Sequence, residues 1–354
     1  MENKLWSDIQ AQGENLSRVV EHLYTEERTR LETAAAFLRN DRPIALIGVA
    51  SAAYLCMPAE IYLGQHGRPA SVSCASDALY SLLPALKNSN VVINSRSGET
   101  AEVVKLGQAL VENQIPFVAI TNEPDSTLAK MATHIVWSNT RKDELVSINV
   151  VTGMMTATLA LASAVLGKMD ARRVEFERLA REMDGVVIRA TQSAQAIHRL
   201  FGDVRPVYLL YRGHSKGAAY CGRLVLEEVA RTPAIAMESA EFRQGPNEVI
   251  DERFGAVVFV PEGKQGELNR ALARDILRSG GRVMLVGSVP ESSLLPEQLV
   301  FPVPAMAEDL RAALEVVPVQ LLAYELASAQ GYPPGQVRYI SKIILTEEGI
   351  PNQV

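Results

Sequence analysis

The chain has 354 residues, 47% of them hydrophobic, with 35 Lys and Arg against 41 Asp and Glu for a formal net charge of −6. That length and apolar content suit about two globular domains, and an acidic balance without a basic run excludes a nucleic-acid surface that works by displacing counterions. Three separated cysteines (Cys56, Cys74, Cys221) and five scattered histidines have neither zinc nor disulfide spacing, so no metal and no cofactor is expected, and a reducing cytoplasm fits.

In chain order, the opening MENKLWSDIQ carries charges where a secretory signal needs an apolar core, which points to a cytoplasmic protein. Arg42-Pro43 then leads into ALIGVAS, a short apolar strand that ends at Ser51. After RPASVSCASDAL comes VVINSRSGET, residues 91–100, an apolar run that stops at Ser95-Arg96-Ser97-Gly98 and hands over to a helical stretch over 99–113. From Val146 to Gly167 no charged residue appears, a length that would cross a bilayer. Ser147, Asn149, Thr152, Thr156 and Thr158 among Ala and Gly make the segment too poor in large apolar residues for insertion. It reads as a helix buried between layers or at a subunit interface, so no membrane partner is expected.

The second half repeats the first. Arg205-Pro206 leads into YLLYRGHS, RTPAIAMESAEF answers RPASVSCASDAL, and Pro69 to Pro233 and Asp77 to Glu241 share one offset. VVINSRSGE aligns with VVFVPEGKQ and PFVAITN with RVMLVGS, which means duplicated domains. Strands alternating with helices imply parallel βαβ units, hence an α/β protein of two tandem three-layer α/β/α sandwiches with parallel sheets. Ligands in such sheets bind beyond the carboxyl ends of the strands, where only the first copy keeps a hydroxyl-rich turn.

A glycine turn feeding a helix N-terminus presents unbonded backbone N–H groups and the positive end of the helix dipole to an anion. Ser95, Ser97 and Thr100 add hydroxyls, Arg96 adds charge, and Gly98 lets the backbone approach closely. The competing reading is that Ser97 or Thr100 only caps the helix. In a helix over 216–229, Cys221, Leu224, Val225 and Glu228 share one face, so a carboxylate occupies a core-facing slot where burial would raise its pKa toward that of a general base. Glu227 lies one turn from Arg223 on the wetter face. His214, in RGHSKG at the matching edge of the second half, is read equally as a proton shuttle and as a solvent-exposed turn residue.

SRSGET resembles the phosphate-binding S-x-S-G-x-T signature of the sugar isomerase (SIS) domain. Two such domains in tandem, without a glutaminase domain in front, resemble the isomerase half of glucosamine-6-phosphate synthase and the related fructosamine-phosphate deglycases and glucosamine-6-phosphate deaminases. The resemblance, in which SDIQAQGENL is similar to the family's opening helix, places an N-terminal helical segment over residues 1–30, the first SIS domain over 31–175, the second over 176–335, and a tail carrying Lys342 over 336–354. It puts phosphate contacts on Ser51, Ser95, Arg96, Ser97, Gly98 and Thr100, the catalytic glutamate on Glu228, and the tail lysine on Lys342 of VRYISKIIL. The family's E-x-x-H-G-P reads EFRQGP here, with Gln244 in place of the ring-opening histidine, and Glu241 precedes it. The family's A-S-T-K segment is absent, Ser147 and Asn149 being approximate matches. The implied function is a deglycase or deaminase for a phosphorylated amino sugar or fructosamine, acting through C1–C2 proton transfer. A sugar-phosphate aldose–ketose isomerase and a non-catalytic sugar-phosphate sensor are the alternatives. The family also implies a homodimer in which the Gln244 loop reaches the neighbouring subunit's pocket.

Overall fold

The computed structural model describes residues 3–144, 146–289, 298–339 and 341–349. It divides into two compact units, Glu14–Ala180 with Val337–Val354, and Met1–Gly13 with Arg181–Gln336.

In the first unit, β1 (Ile44–Gly48), β2 (Ala70–Cys74), β3 (Asn90–Ser95), β4 (Phe117–Thr121) and β5 (His134–Trp137) form one sheet in the order β2-β1-β3-β4-β5. Every pairing is parallel. β1, β3 and β4 are buried along their whole length, as a parallel sheet covered on both faces requires, and this explains runs such as ALIG and VVIN without polar alternation. On one face Ala45, Ile47, Val91, Ile93 and Phe117 pack against Val103, Leu106 and Leu110 of the helix Ala101–Glu112. On the other, the helix Asn149–Val165 packs against β4 and the helices Arg28–Leu38 and Met57–Gln65.

Every residue of Asn149–Val165 is buried within this chain. Its hydroxyls are satisfied inside the helix: Thr156 donates to the Thr152 carbonyl at 2.8 Å, Thr158 to Met154 at 2.8 Å and Ser163 to Leu159 at 2.7 Å. The uncharged stretch is therefore a layer-buried helix whose burial needs no second subunit. A second run, Glu308–Ala329, is long and apolar enough to cross a membrane by length and composition, and is mostly buried inside its unit.

The second unit repeats the plan with β6 (Val207–Tyr211), β7 (Ala234–Glu238), β8 (Gly255–Val260), β9 (Arg282–Gly287) and β10 (Gln298–Pro302), again all parallel, in the order β10-β9-β8-β6-β7. Sheet pairing corrects the sequence alignment of the two halves by one residue. Ile44 pairs with Asn90 and Val207 with Gly255, so Asn90 corresponds to Gly255. It follows that SRSGET matches Val260–Gln265, Ser97 matching Glu262 and Gly98 matching Gly263. The glycines agree in conformation, at φ +63° and +66°. By the same pairing Ser51 matches His214, and the residues before them, Ala50 and Gly213, have φ +48° and +58°.

Ala50 thus holds a positive-φ conformation (φ 48°, ψ −123°) that its counterpart fills with glycine, and a non-glycine residue in so sparsely populated a region costs about 1–3 kcal/mol. Ala50→Gly is expected to raise the melting temperature by roughly 2–4 °C. A thermal melt showing no gain would mean that the turn is unstrained.

Candidate functional site

Two strand ends bring side chains to the carboxyl edge of the first sheet. β1 leads to Ser51, half-buried at the start of the short helix Ser51–Tyr54. β3 ends at Ser95, buried, whose Oγ accepts from the Gly98 N–H at 3.1 Å, while Ser97 Oγ accepts from the Glu99 N–H at 3.2 Å. Both hydroxyls serve here as acceptors, which leaves their protons to donate elsewhere. A Cβ on Gly98 would stand 2.1 Å from Ser126 Oγ, so close approach as well as positive φ demands glycine. Thr100 occupies the N-cap of Ala101–Glu112, yet its side chain makes no capping hydrogen bond. Simple capping therefore does not account for its hydroxyl.

Beside this turn lies a cleft of about 330 Å³. Its walls carry three cations, Arg96, Lys142 and Lys342, and four carboxylates, Glu99, Glu123, Asp125 and Asp143. Ser97 is also in the wall. Most of the acids are engaged: Glu99 accepts from the Thr127 N–H at 2.7 Å, and Glu123 pairs with Lys142 at 2.6 Å. Asp143 accepts from the N–H groups of Ile148, Asn149 and Val150 and from Asn149 Nδ2, each at 2.9 Å. Burial pushes the Asp143 carboxyl up and these donors pull it back. It is the N-terminal anchor of Asn149–Val165, and the sequence reading missed it because its donors follow a loop that no helix propensity marks.

The tail lies over the turn. Arg96 donates to the Lys342 carbonyl and reaches Ser147 Oγ at 3.4 Å, and the Ala101 N–H donates to the Ile344 carbonyl at 3.0 Å. The Glu347 carboxylate fastens it further, accepting from the Tyr80 hydroxyl at 2.6 Å and from Lys105 at 2.9 Å. Lys342 is thereby held at the cleft with an exposed side chain. Asn149 is not in that wall: it is fully buried, its amide engaged by Asp143.

The remaining sequence candidates belong to the second unit. The helix Ser215–Val229 runs through Glu228, which is half-buried. The buried stripe centres on Ala218, Gly222, Val225 and Val229, with Cys221 beside it, so Glu228 sits on the flank and not in the core-facing slot the periodicity implies. Glu227 lies 3.5 Å from Arg223, and partial burial pushes its carboxyl up while Arg223 opposes the shift. His214 is 3% exposed, with Nδ1 3.7 Å from the Glu308 carboxylate, which excludes the solvent-exposed turn reading. Glu241, within the short helix Ser239–Phe242, and Gln244, just beyond it, are exposed, and the N-cap Glu238 accepts from the Glu241 N–H at 3.2 Å. Among the described residues no three His, Cys, Asp or Glu side chains cluster as metal ligands.

The SIS domain family profile matches residues 37–164 and 201–329, one copy per sheet. The chain belongs to the SIS domain family. It is 25% identical over 350 residues to the glutamine–fructose-6-phosphate aminotransferase (isomerizing) of Pyrobaculum aerophilum, across 96% of this chain and 57% of that protein. The corresponding enzyme of Bradyrhizobium diazoefficiens is 26% identical across 95% and 57%. This SIS chain thus spans a little over half the length of those curated relatives. Among solved structures it resembles the C-terminal domain of glucosamine-fructose-6-phosphate aminotransferase from Francisella tularensis, with TM-score 0.82 and 19% identity over 94% of this chain and 97% of that one. Glucosamine-6-phosphate deaminase from Thermotoga maritima gives TM-score 0.76 and 18% identity over 96% and 99%. These likenesses show the double SIS fold.

Glu347 sets a pH dependence for the tail. Its two donors, Tyr80 first and then Lys105, hold its carboxyl below the usual range. Docking is then fully supported above the ordinary glutamate value of about 4.3 and lost as pH falls through the lowered one. Glu347→Gln is expected to speed hydrogen exchange at the Ile344 and Lys342 region several-fold near neutral pH and to flatten its acid dependence; identical exchange in both proteins would remove the fastening role.

Proposed function

We propose that this SIS-family chain is an enzyme of phosphorylated amino sugars or fructosamines, cleaving or deaminating its substrate through proton transfer between C1 and C2. The observation that carries the reading is the cleft beside residues 95–100, where a glycine turn, a helix N-terminus, free-to-donate hydroxyls and Arg96 meet at a sheet's carboxyl edge. A phosphoryl group accepts from Ser95, Ser97 and Thr100, with Ser51 and Gly98 shaping the approach. Arg96 and Lys342 supply charge.

The same walls hold Asp125 at the rim, exposed, next to the Glu123–Lys142 pair. Carboxylates near a phosphate site suit a substrate that also bears a cationic nitrogen, which favours amino sugars over neutral ones. Glu228 takes the role of the base and Lys342 that of the group beside the carbonyl or amine, as the family motifs imply. Homodimerisation, with Gln244 serving the partner's site, completes the reading.

Gln244 favours a second reading. An amide can hydrogen-bond but cannot titrate, so a chain with Gln at the position of the family's ring-opening histidine could bind sugar phosphate without turning it over. Glu228→Gln separates the two. The enzyme reading expects a loss of at least 10²-fold in turnover of fructosamine-6-phosphates or glucosamine-6-phosphate, with thermal stabilisation by the same compounds kept. Wild-type protein that is stabilised by them and releases neither amine nor sugar phosphate leaves the sensor.

The anchor itself is tested by Ser97→Ala with Thr100→Val. Removing two donors to a charged group is expected to weaken sugar-phosphate binding by about 10–100-fold. Retained stabilisation by sugar phosphates would place the anion elsewhere.

A further inference from the structure

The second sheet ends in the same kind of turn, but its surroundings are different. The helix Gly263–Arg278 follows β8 as Ala101–Glu112 follows β3, and its entry residue Glu262 corresponds to Ser97. The Glu262 N–H points at a carboxylate of the chain itself, donating to Glu308 Oε1 at 3.0 Å. Glu308 begins the helix Glu308–Glu315 and comes from the far side of the sheet in sequence. Its other oxygen, Oε2, lies 3.7 Å from Nδ1 of His214, the residue that corresponds to Ser51.

Two buried cationic or polar groups face the same place. His214 is 3% exposed and neither ring nitrogen has a hydrogen-bond partner among the described residues. Arg311 is 1% exposed; its Nε bonds Glu315 at 2.9 Å and its Nη2 donates to the Val260 carbonyl at 3.5 Å, while Nη1 has no hydrogen-bond partner and stands 3.8 Å from Glu262 Oε1. His214 in the first place, then the Glu262 N–H and Arg311, hold the Glu308 carboxyl below the usual range against the cost of its desolvation. A buried imidazole and a buried guanidinium beside a helix N-terminus are the parts of an anion site.

We propose that the second half is an anion site occupied by the chain's own Glu308, whose carboxylate fills the position that the corresponding turn of the first half leaves open. The duplicated edge is kept in geometry and closed in chemistry. A monovalent side-chain carboxylate takes the Glu262 N–H at the helix entry from within, so the second half takes no ligand anion while Glu308 is in place. The inference does not depend on what the first half binds.

The test is to remove the internal anion and offer one from solution. Glu308→Ala in the full chain is expected to melt roughly 5 °C below wild type in chloride buffer, and to regain most of that loss, saturably, in formate, acetate or inorganic phosphate. Titration calorimetry with inorganic phosphate should show one more equivalent bound by Glu308→Ala than by wild type. Glu308→Gln, which keeps the acceptor oxygen and loses the charge, should melt between the two. Overturning results are a Glu308→Ala protein that gains no more from these anions than wild type does, or a Glu308→Gln protein as stable as wild type. Should Glu308→Ala fold only when formate, acetate or phosphate is present, that too supports the internal anion; failure to fold even in their presence, alongside a Glu308→Gln protein as stable as wild type, rejects it.

Discussion

Parallel pairing imposes one constraint from which most of this structure follows. Each strand must be returned to the same end by a helix, so the carboxyl edge of each sheet collects helix N-termini, whose first N–H groups have no partner within the helix. Those groups have to be satisfied by side chains, by another stretch of chain or by a ligand. At the first sheet Asp143 serves Asn149–Val165, Ser126 caps Thr127–Met131 with an acceptor 3.3 Å from the Ala129 N–H, and the tail carbonyl of Ile344 takes one donor of Ala101–Glu112. What remains beside Ser97 and Thr100 is the part of the edge with capacity left for a ligand.

Strand runs were legible in the sequence because both faces of these sheets are covered, which makes each strand a short unbroken apolar block ended by small or polar residues. Duplication was legible for the same reason. The register between halves was not: a glycine before the β8 run makes VVFV look like the partner of VVIN, and only the pairing of β8 with β6 shows that GAVVFV starts one residue earlier. That single step decides the chemistry, since it sets Gly263 against Gly98 and an acid against Ser97. Helical periodicity placed Glu228 on the right side of its helix but too deep, because small residues at Ala218 and Gly222 let the neighbouring layer approach there and shift the buried stripe away from it. Asp143 and Glu308 were out of reach for a different reason: each serves donors that only the folded loops bring to it.

The tail shows how a segment with little regular structure becomes part of the first unit. Its backbone carbonyls at Lys342 and Ile344 accept from Arg96 and Ala101, and Glu347 meets Tyr80 and Lys105. None of these contacts buries much apolar surface, so the ordering cost of the segment is offset mainly by polar contacts at the surface. A segment held in this way positions the Lys342 side chain through main-chain bonds and leaves its ammonium to the cleft.

The two edges also differ in how their charges are engaged. In the first half Asp143 is bonded by four donors, Glu99 by a backbone N–H and Glu123 by Lys142, so most of the acids lining the cleft are engaged before any ligand arrives. Arg96 and Lys342 then act on a phosphoryl group against Asp125 alone, which lies in water where repulsion is screened. In the second half Glu308 stands against His214 and the helix N-terminus, and Glu315 against a guanidinium that is buried with it. A dianion entering there would have to displace Glu308 from His214 and the Glu262 N–H, and would bring its charge beside the carboxylates of Glu262 and Glu315. Serine at positions 51 and 97 adds no charge to the first edge; at the second, histidine at 214 and the Glu262 N–H hold Glu308, and it is that pairing of a base with an acid, not either residue alone, that closes the edge.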